Sequence, residues 1–170
     1  FESSINALLP DSLGNVWVAT NSSGLAKISC LRHALQHVDI DRSGGVYAIQ
    51  PQGDDCYLIA GERLLGRACL PPACAATQLH APDGLPEAVV WDALETPSAM
   101  WAATQAGLFR AEAGGDFQRL FAEDPVLGAP CRVIVRRDDA LWIGSLRGLA
   151  RVRGDEAHAV DTGDGPLGYV

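Results

Sequence analysis

The segment Asp138-Asp-Ala-Leu-Trp-Ile-Gly-Ser-Leu-Arg-Gly-Leu-Ala-Arg-Val152 has near-copies elsewhere in the chain. Gly14-Asn-Val-Trp-Val-Ala-Thr-Asn-Ser-Ser-Gly-Leu-Ala-Lys-Ile28 is one, and Ala99-Met-Trp-Ala-Ala-Thr-Gln-Ala-Gly-Leu-Phe-Arg110 is another. Each reads apolar, Trp, apolar, small residue, Ser or Thr, a short polar turn, Gly-Leu, then a short strand. An eroded fourth copy, Asp54-Asp-Cys-Tyr-Leu-Ile-Ala-Gly-Glu-Arg-Leu-Leu65, puts Tyr57 in the Trp place. The anchors at 17, 57, 101 and 142 are then spaced by 40, 44 and 41 residues. Near-copies must fold alike, and a period of this size built from short strands predicts propeller blades of about four strands.

The pattern has a physical cause. A blade covered on both faces by its neighbours cannot alternate apolar with polar residues, so its middle strands are apolar throughout. Val16 to Ala19, Cys56 to Ile59, Met100 to Ala103 and Leu141 to Gly144 fit this. Two residues after the anchor, on the same strand face, Ala19, Ala103 or Gly144 is expected to leave room beside the indole; Ile59 departs from the rule. Gly24, Gly107 and Gly148 are expected to close hairpins by supplying positive φ at low steric cost.

The 170 residues carry 18 Gly and 10 Pro, are 48% hydrophobic, and show little helical periodicity, which fits an all-β chain. The expected blades run roughly over 1–40, 41–80, 81–122 and 123–165, with 166–170 as the entry to a further blade. First strands are expected at Ile5–Leu9, Val46–Ile49, Val89–Leu94 and Cys131–Val135, and Gly66 to Ala76 reads as an irregular insertion. Four blades in an arc leave two apolar end faces, larger than soluble monomers usually expose. The chain therefore reads as an incomplete arc of a larger propeller, or as one that self-associates.

A net charge of -8 argues against nucleic acid as a partner. No run of 18 apolar residues is present, so contact with a membrane is expected only through parts of a parent protein outside this chain. Of the five cysteines, Cys69 and Cys74 flank a loop that could bring two sulfurs together; the alternative is five buried small hydrophobes. A disulfide would fit an oxidising compartment.

The consensus V-x-x-I/L-x-x-D-x-x-G-x-L-W-I/V-G/A-T-x-x-G-L, which the first, third and fourth copies follow, resembles the two-component regulator propeller repeat. That resemblance implies the sensory domain of a hybrid histidine kinase or a diguanylate cyclase. It further implies a periplasmic position, no enzymatic activity in this piece, and a small molecule or glycan as ligand. A ligand at the channel mouth would then bias how paired sensors sit.

The residues themselves supply little chemistry. His33 and His37 fall in a segment read as turn plus strand, where an i, i+4 pair lies roughly 13 Å apart, so no metal site is expected. Asp54-Asp55 and Asp138-Asp139 occupy the hairpin position of Asp11 and are assigned to turns. No Gly-x-Ser-x-Gly elbow, phosphate loop or second Cys pair is present, and no cofactor is expected. The candidate ligand-binding residues are Asn21, Arg42, Glu87, Gln105, Arg132 and Arg147. They lie on loops that open at one end of the blades and vary while the scaffold repeats. Arg132 and Arg147 suit an anionic sugar or carboxylate. Trp91, on a first strand, is expected to pack between blades rather than face the channel. A metal-dependent propeller lyase and a structural interaction platform are the alternative readings; the lyase is weakened because no His falls on a first strand.

Overall fold

The computed structural model describes residues 4–29, 34–38, 44–52, 56–69, 79–80, 83–86 and 89–161, and of 34–38, 69 and 79–80 only the backbone. These residues form four antiparallel sheets, each in simple up-and-down order. The first holds β1 (Ile5–Pro10), β2 (Val16–Thr20), β3 (Leu25–Ser29) and β4 (Ala34–Val38). The second holds β5 (Val46–Pro51), β6 (Cys56–Gly61), β7 (Leu64–Cys69) and β8 (Leu79–His80). The third holds β9 (Val90–Glu95), β10 (Ala99–Thr104), β11 (Gly107–Glu112) and β12 (Gln118–Leu120). The fourth holds β13 (Cys131–Arg137), β14 (Ala140–Ser145), β15 (Gly148–Arg153) and β16 (Glu156–Ala159). This is the all-β propeller architecture that the repeat predicts, built of open four-stranded blades. The chain divides into two compact units, Phe1–Pro82 and Asp83–Val170, of two sheets each. Within each unit the first strands of the two sheets meet, β1 with β5 and β9 with β13.

Sheet-on-sheet packing makes the two cores alike. In the second unit Trp101, Ala103 and Leu108 pack against Ile134, Leu141, Ile143 and Val152. In the first, Trp17, Ala19 and Leu25 pack against Ile49, Tyr57, Ile59 and Ala68. The matching ladders correct the sequence alignment of the second copy. Ile49 pairs with Ile59 and Ala48 with Ala60, as Ile134 pairs with Ile143 and Val133 with Gly144. Leu58, not Tyr57, therefore holds the Trp place, and the anchors are 17, 58, 101 and 142. Side chains alternate along a strand, so this one-residue slip puts Tyr57 on the opposite face. There it lies 4.7 Å from Trp17, centroid to centroid, at 43°. The small residue two places on is then Ala60, which removes the exception at Ile59. The neighbour that a larger side chain would meet at Gly144 is Val133 Cγ1, across the ladder, rather than the indole. Trp142 is only part-buried, so it is not wedged between two sheets as Trp17 and Trp101 are.

The hairpins explain the polar letters of the repeat. Thr20, Thr104 and Ser145 each donate a hydroxyl hydrogen bond across the turn, to the carbonyls of Gly24, Gly107 and Gly148. Each hydroxyl oxygen also accepts a backbone N–H from within the turn. The three glycines have φ of 70°, 114° and 138°, as expected for hairpin closure. At the other end of the first blade, Asp11 accepts from the N–H groups of Leu13 and Asn15, from Asn15 Nδ2 and from Trp17 Nε1. Asp138 takes φ 56° in the tight turn where Arg137 pairs with Ala140, a turn role as expected. Asp54 and Asp55 lie outside the described residues.

One expectation of the second blade changes. Gly66 to Cys69 belong to a regular strand, paired along β6 from Gly61–Leu64 to Cys56–Cys69, because burial of Leu65 and Ala68 outweighs the weak strand propensity of Gly66. Cys56 is disulfide-bonded, and the backbone of Cys69 stands directly opposite it. The expected Cys69–Cys74 pairing falls outside the described residues.

Candidate functional site

One irregularity recurs in every sheet. The first strand slips by one residue against the second between Ile5 and Ala7, between Val46 and Ala48, between Val90 and Asp92, and between Cys131 and Val133. The extra residues are Asn6, Tyr47, Trp91 and Arg132. A bulge leaves its residue out of the ladder and re-aims the side chain. Beside each bulge, the first residue of the hairpin after the anchor strand ties back to the entering chain. Asn21 N–H donates to Ser4, Glu62 to Gly45, Gln105 to Val89 and Leu146 to Pro130, through backbone carbonyls at 2.9 to 3.0 Å. The scaffold is thus repeated while the presented side chain changes.

In the second unit the bulged residues meet. The Arg132 guanidinium lies over the Trp91 indole, 3.7 Å from the ring centroid. Trp91 Nε1 donates to Gln105 Oε1 at 3.3 Å. Both Trp91 and Arg132 are half-buried. Arg132 carries no hydrogen bond or ion pair among the described residues, and stacking on Trp91 orients its donor edge. Beneath them Asp92, buried, accepts the Ile134 N–H at 2.9 Å and the Ala93 N–H at 2.9 Å. That bond runs from β9 to β13 and fixes the two first strands against each other. A planar, permanently charged fork on an aromatic platform is suited to a carboxylate or sulfate on a ring-shaped ligand. In the first unit the corresponding residue Asn6 donates through Nδ2 to the Val46 carbonyl at 2.8 Å, so its amide is used between sheets.

Of the sequence candidates, the structure brings together Gln105 and Arg132. Arg147 is exposed on the β14–β15 hairpin, at the same end of the fourth sheet as Arg132. Asn21 is exposed on the corresponding hairpin of the first unit. Arg42 and Glu87 lie outside the described residues. Trp91 contacts the next sheet, as expected of a packing residue, but it stays half-buried and forms the centre of the cluster. The signal for it in the sequence was its place two residues into the first strand, in line with Arg132.

A second regularity runs across the ladders. A cation stands across the ladder from each anchor: Lys27 from Trp17, Arg67 from Leu58, Arg110 from Trp101 and Arg151 from Trp142. Lys27 Nζ lies 5.6 Å from the Trp17 ring and Arg110 Cζ 5.5 Å from the Trp101 ring. Cys131, next to Arg132, is a buried free thiol. Burial pushes its pKa up to about 12, with Asp124 adding to the rise and Arg119 opposing it. It is not a nucleophile at neutral pH.

The family model described as two component regulator propeller matches residues 1–22. That segment is similar to a two component regulator propeller repeat. The other three sheets share its ladder order and its first-strand bulge. No curated protein matches the chain. Among solved structures, it is similar to the extracellular domain of BT3049 from B. thetaiotaomicron, described as a hybrid two component system. The identity is 14%, the TM-score 0.69, and the match covers 98% of this chain and 23% of that one. The extracellular domain of BT4673 from the same organism, described as a one component system, matches at 14% identity and TM-score 0.65, over 96% of this chain and 23% of that one. The β-propeller domain of Cps50 (Swd1) from Myceliophteria thermophila matches at 16% identity and TM-score 0.60, over 85% of this chain and 49% of that one. The chain thus spans about a quarter of the two extracellular domains, and these likenesses show the fold.

Proposed function

We propose that the chain is a non-catalytic, ligand-binding part of an extracytoplasmic sensor, periplasmic in a bacterial cell envelope, whose parent receptor signals through a histidine kinase or cyclase output. The observation that carries the ligand reading is the Arg132 guanidinium, stacked on Trp91 and without an acceptor among the described residues. The ligand is an acidic glycan or a small carboxylate, with its anionic group on Arg132, its ring edge against Trp91 and a hydroxyl at Gln105. The first-blade match and the resemblance to extracellular sensor domains support the receptor context. Self-association of the parent receptor would carry the response.

Calorimetric titration with a panel of neutral and uronate-bearing oligosaccharides tests this. A uronate-bearing member is expected to bind, and Arg132→Gln to weaken it by about tenfold or more, the worth of one charge-assisted contact. Trp91→Ala should weaken neutral and acidic members alike. Binding untouched by both substitutions would place the ligand elsewhere.

A further inference from the structure

A cavity of about 360 Å³ opens between the third and fourth sheets. Its lining includes the β9–β10 turn (Thr96 to Ser98) and the β13–β14 turn at Asp139. Those turns lie at the far end of the blades from the Trp91–Arg132 cluster. Its apolar wall includes Trp101, Leu141 and Val152, and four charged side chains line it: Arg110, Glu112, Arg136 and Asp139.

Two of those charges are already engaged. Arg110 pairs with Asp155 at 2.7 Å and lies over Trp101; Asp139 pairs with Arg153 at 2.8 Å. The other two are not. Glu112, at the end of β11, and Arg136, near the end of β13, are exposed, and neither has an ion pair or side-chain hydrogen bond among the described residues. They come from different sheets and stand too far apart to bond directly. Among the described residues the cavity therefore offers one free anion, one free cation and an apolar wall between two blades.

We propose that this cavity binds a zwitterionic α-amino acid with an apolar side chain. Arg136 takes the carboxylate through its planar fork, Glu112 takes the ammonium, and the side chain lies against Trp101, Leu141 and Val152. An anion alone would leave Glu112 facing like charge, and an amine alone would do the same to Arg136; the zwitterion satisfies both. The volume is of the size that small-ligand sites have. Bound there, the ligand bridges the two sheets. The inference does not rest on the glycan reading, since it uses none of the same residues.

The test is calorimetric titration of the chain with L-phenylalanine, 3-phenylpropanoate and L-phenylalaninamide. Phenylalanine is expected to bind, and each analogue, lacking one charge, to bind about tenfold more weakly. Glu112→Gln should weaken phenylalanine about tenfold and strengthen 3-phenylpropanoate by relieving like charge, and Arg136→Gln should weaken phenylalanine and strengthen phenylalaninamide for the same reason. Both positions are exposed, so the variants keep their fold, which an unchanged melting temperature verifies. Trp91→Ala should leave phenylalanine binding as it was. No binding of phenylalanine at millimolar concentration overturns the proposal. So does equal binding of all three compounds, which would mark a merely apolar cleft.

Discussion

Asp11 holds the first hairpin by chemistry that depends on its charge. Burial raises its pKa, but the bonds from Asn15, Trp17 and Leu13 outweigh burial and leave it below the ordinary 3.8. A folded pKa below the unfolded one stabilises the fold above 3.8, and the contribution is lost as pH falls through the folded value. Asp11→Ala is therefore expected to cost about 1–2 kcal/mol near neutral pH, the scale of a few net hydrogen bonds at a turn. Melts over a pH series should show the gap to the parent chain closing below pH 3.8; a constant gap would mean the carboxylate charge is irrelevant. Cys131 gives a second residue-scale expectation. With its pKa at about 12 and its sulfur buried, the thiol should resist iodoacetamide at pH 8 in the folded chain and react readily in denaturant. Cys56, in a disulfide, should become reactive only after reduction, and peptide mapping then identifies its partner.

At the level of the strand and hairpin, the second blade decides how far a repeat can be read by eye. Its Gly-Leu signature is lost, with Leu64 in the Gly place, yet Leu65 keeps the Leu place and is 2% exposed. Arg63 supplies the positive φ, at 52°. The aromatic ring that marked the copy belongs to the wrong face, and the true anchor, Leu58, is 1% exposed. Leu58→Ala should cost about 2–5 kcal/mol by thermal melt, as truncation of a buried Leu does; a cost under 1 kcal/mol would put Leu58 on a tolerant surface and undo the corrected register. In the loop entering the third blade, Gly84 takes φ 81° and a Cβ there would run into the Phe117 carbonyl. Gly84→Ala should destabilise by about 2 kcal/mol or more, because strain and collision add. Near-parent stability would mean that this loop can move away from Phe117. The bulges belong to this scale too. They are set by the register of β9 against β10 and β13 against β14, which hydropathy alone does not show.

The whole molecule is two units of two sheets, and some apolar side chains on its first strands stay in solvent. Leu8 is 59% exposed on β1, and Val133 and Val135 are 45% and 53% exposed on β13. If the parent receptor self-associates through such faces, Leu8→Lys with Val135→Lys should lower the sedimentation coefficient at high protein concentration. Unchanged sedimentation would exclude these faces from assembly. The net charge of -8 acts at this scale as well. It repels anions at long range, so anion binding relies on local cations such as Arg132.

The order of residues by itself determined the blades, because a repeat of apolar strand, polar turn and Gly-Leu strand forces local hairpins: Thr20 with Gly24, Thr104 with Gly107 and Ser145 with Gly148 all bond within a few residues. Gln105 and Arg132 were legible as loop and strand-entry residues for the same reason. Only the tertiary structure decided that Leu58 and not Tyr57 faces with the anchors, since a shift of one residue changes burial without changing composition. It alone brought Trp91 to Arg132, joined Asp92 to the Ile134 N–H, and placed Glu112 and Arg136 in the lining of one cavity. Those contacts cross between sheets more than 20 residues apart in the chain, and their partners are chosen by how the sheets pack, not by any pattern within a single copy.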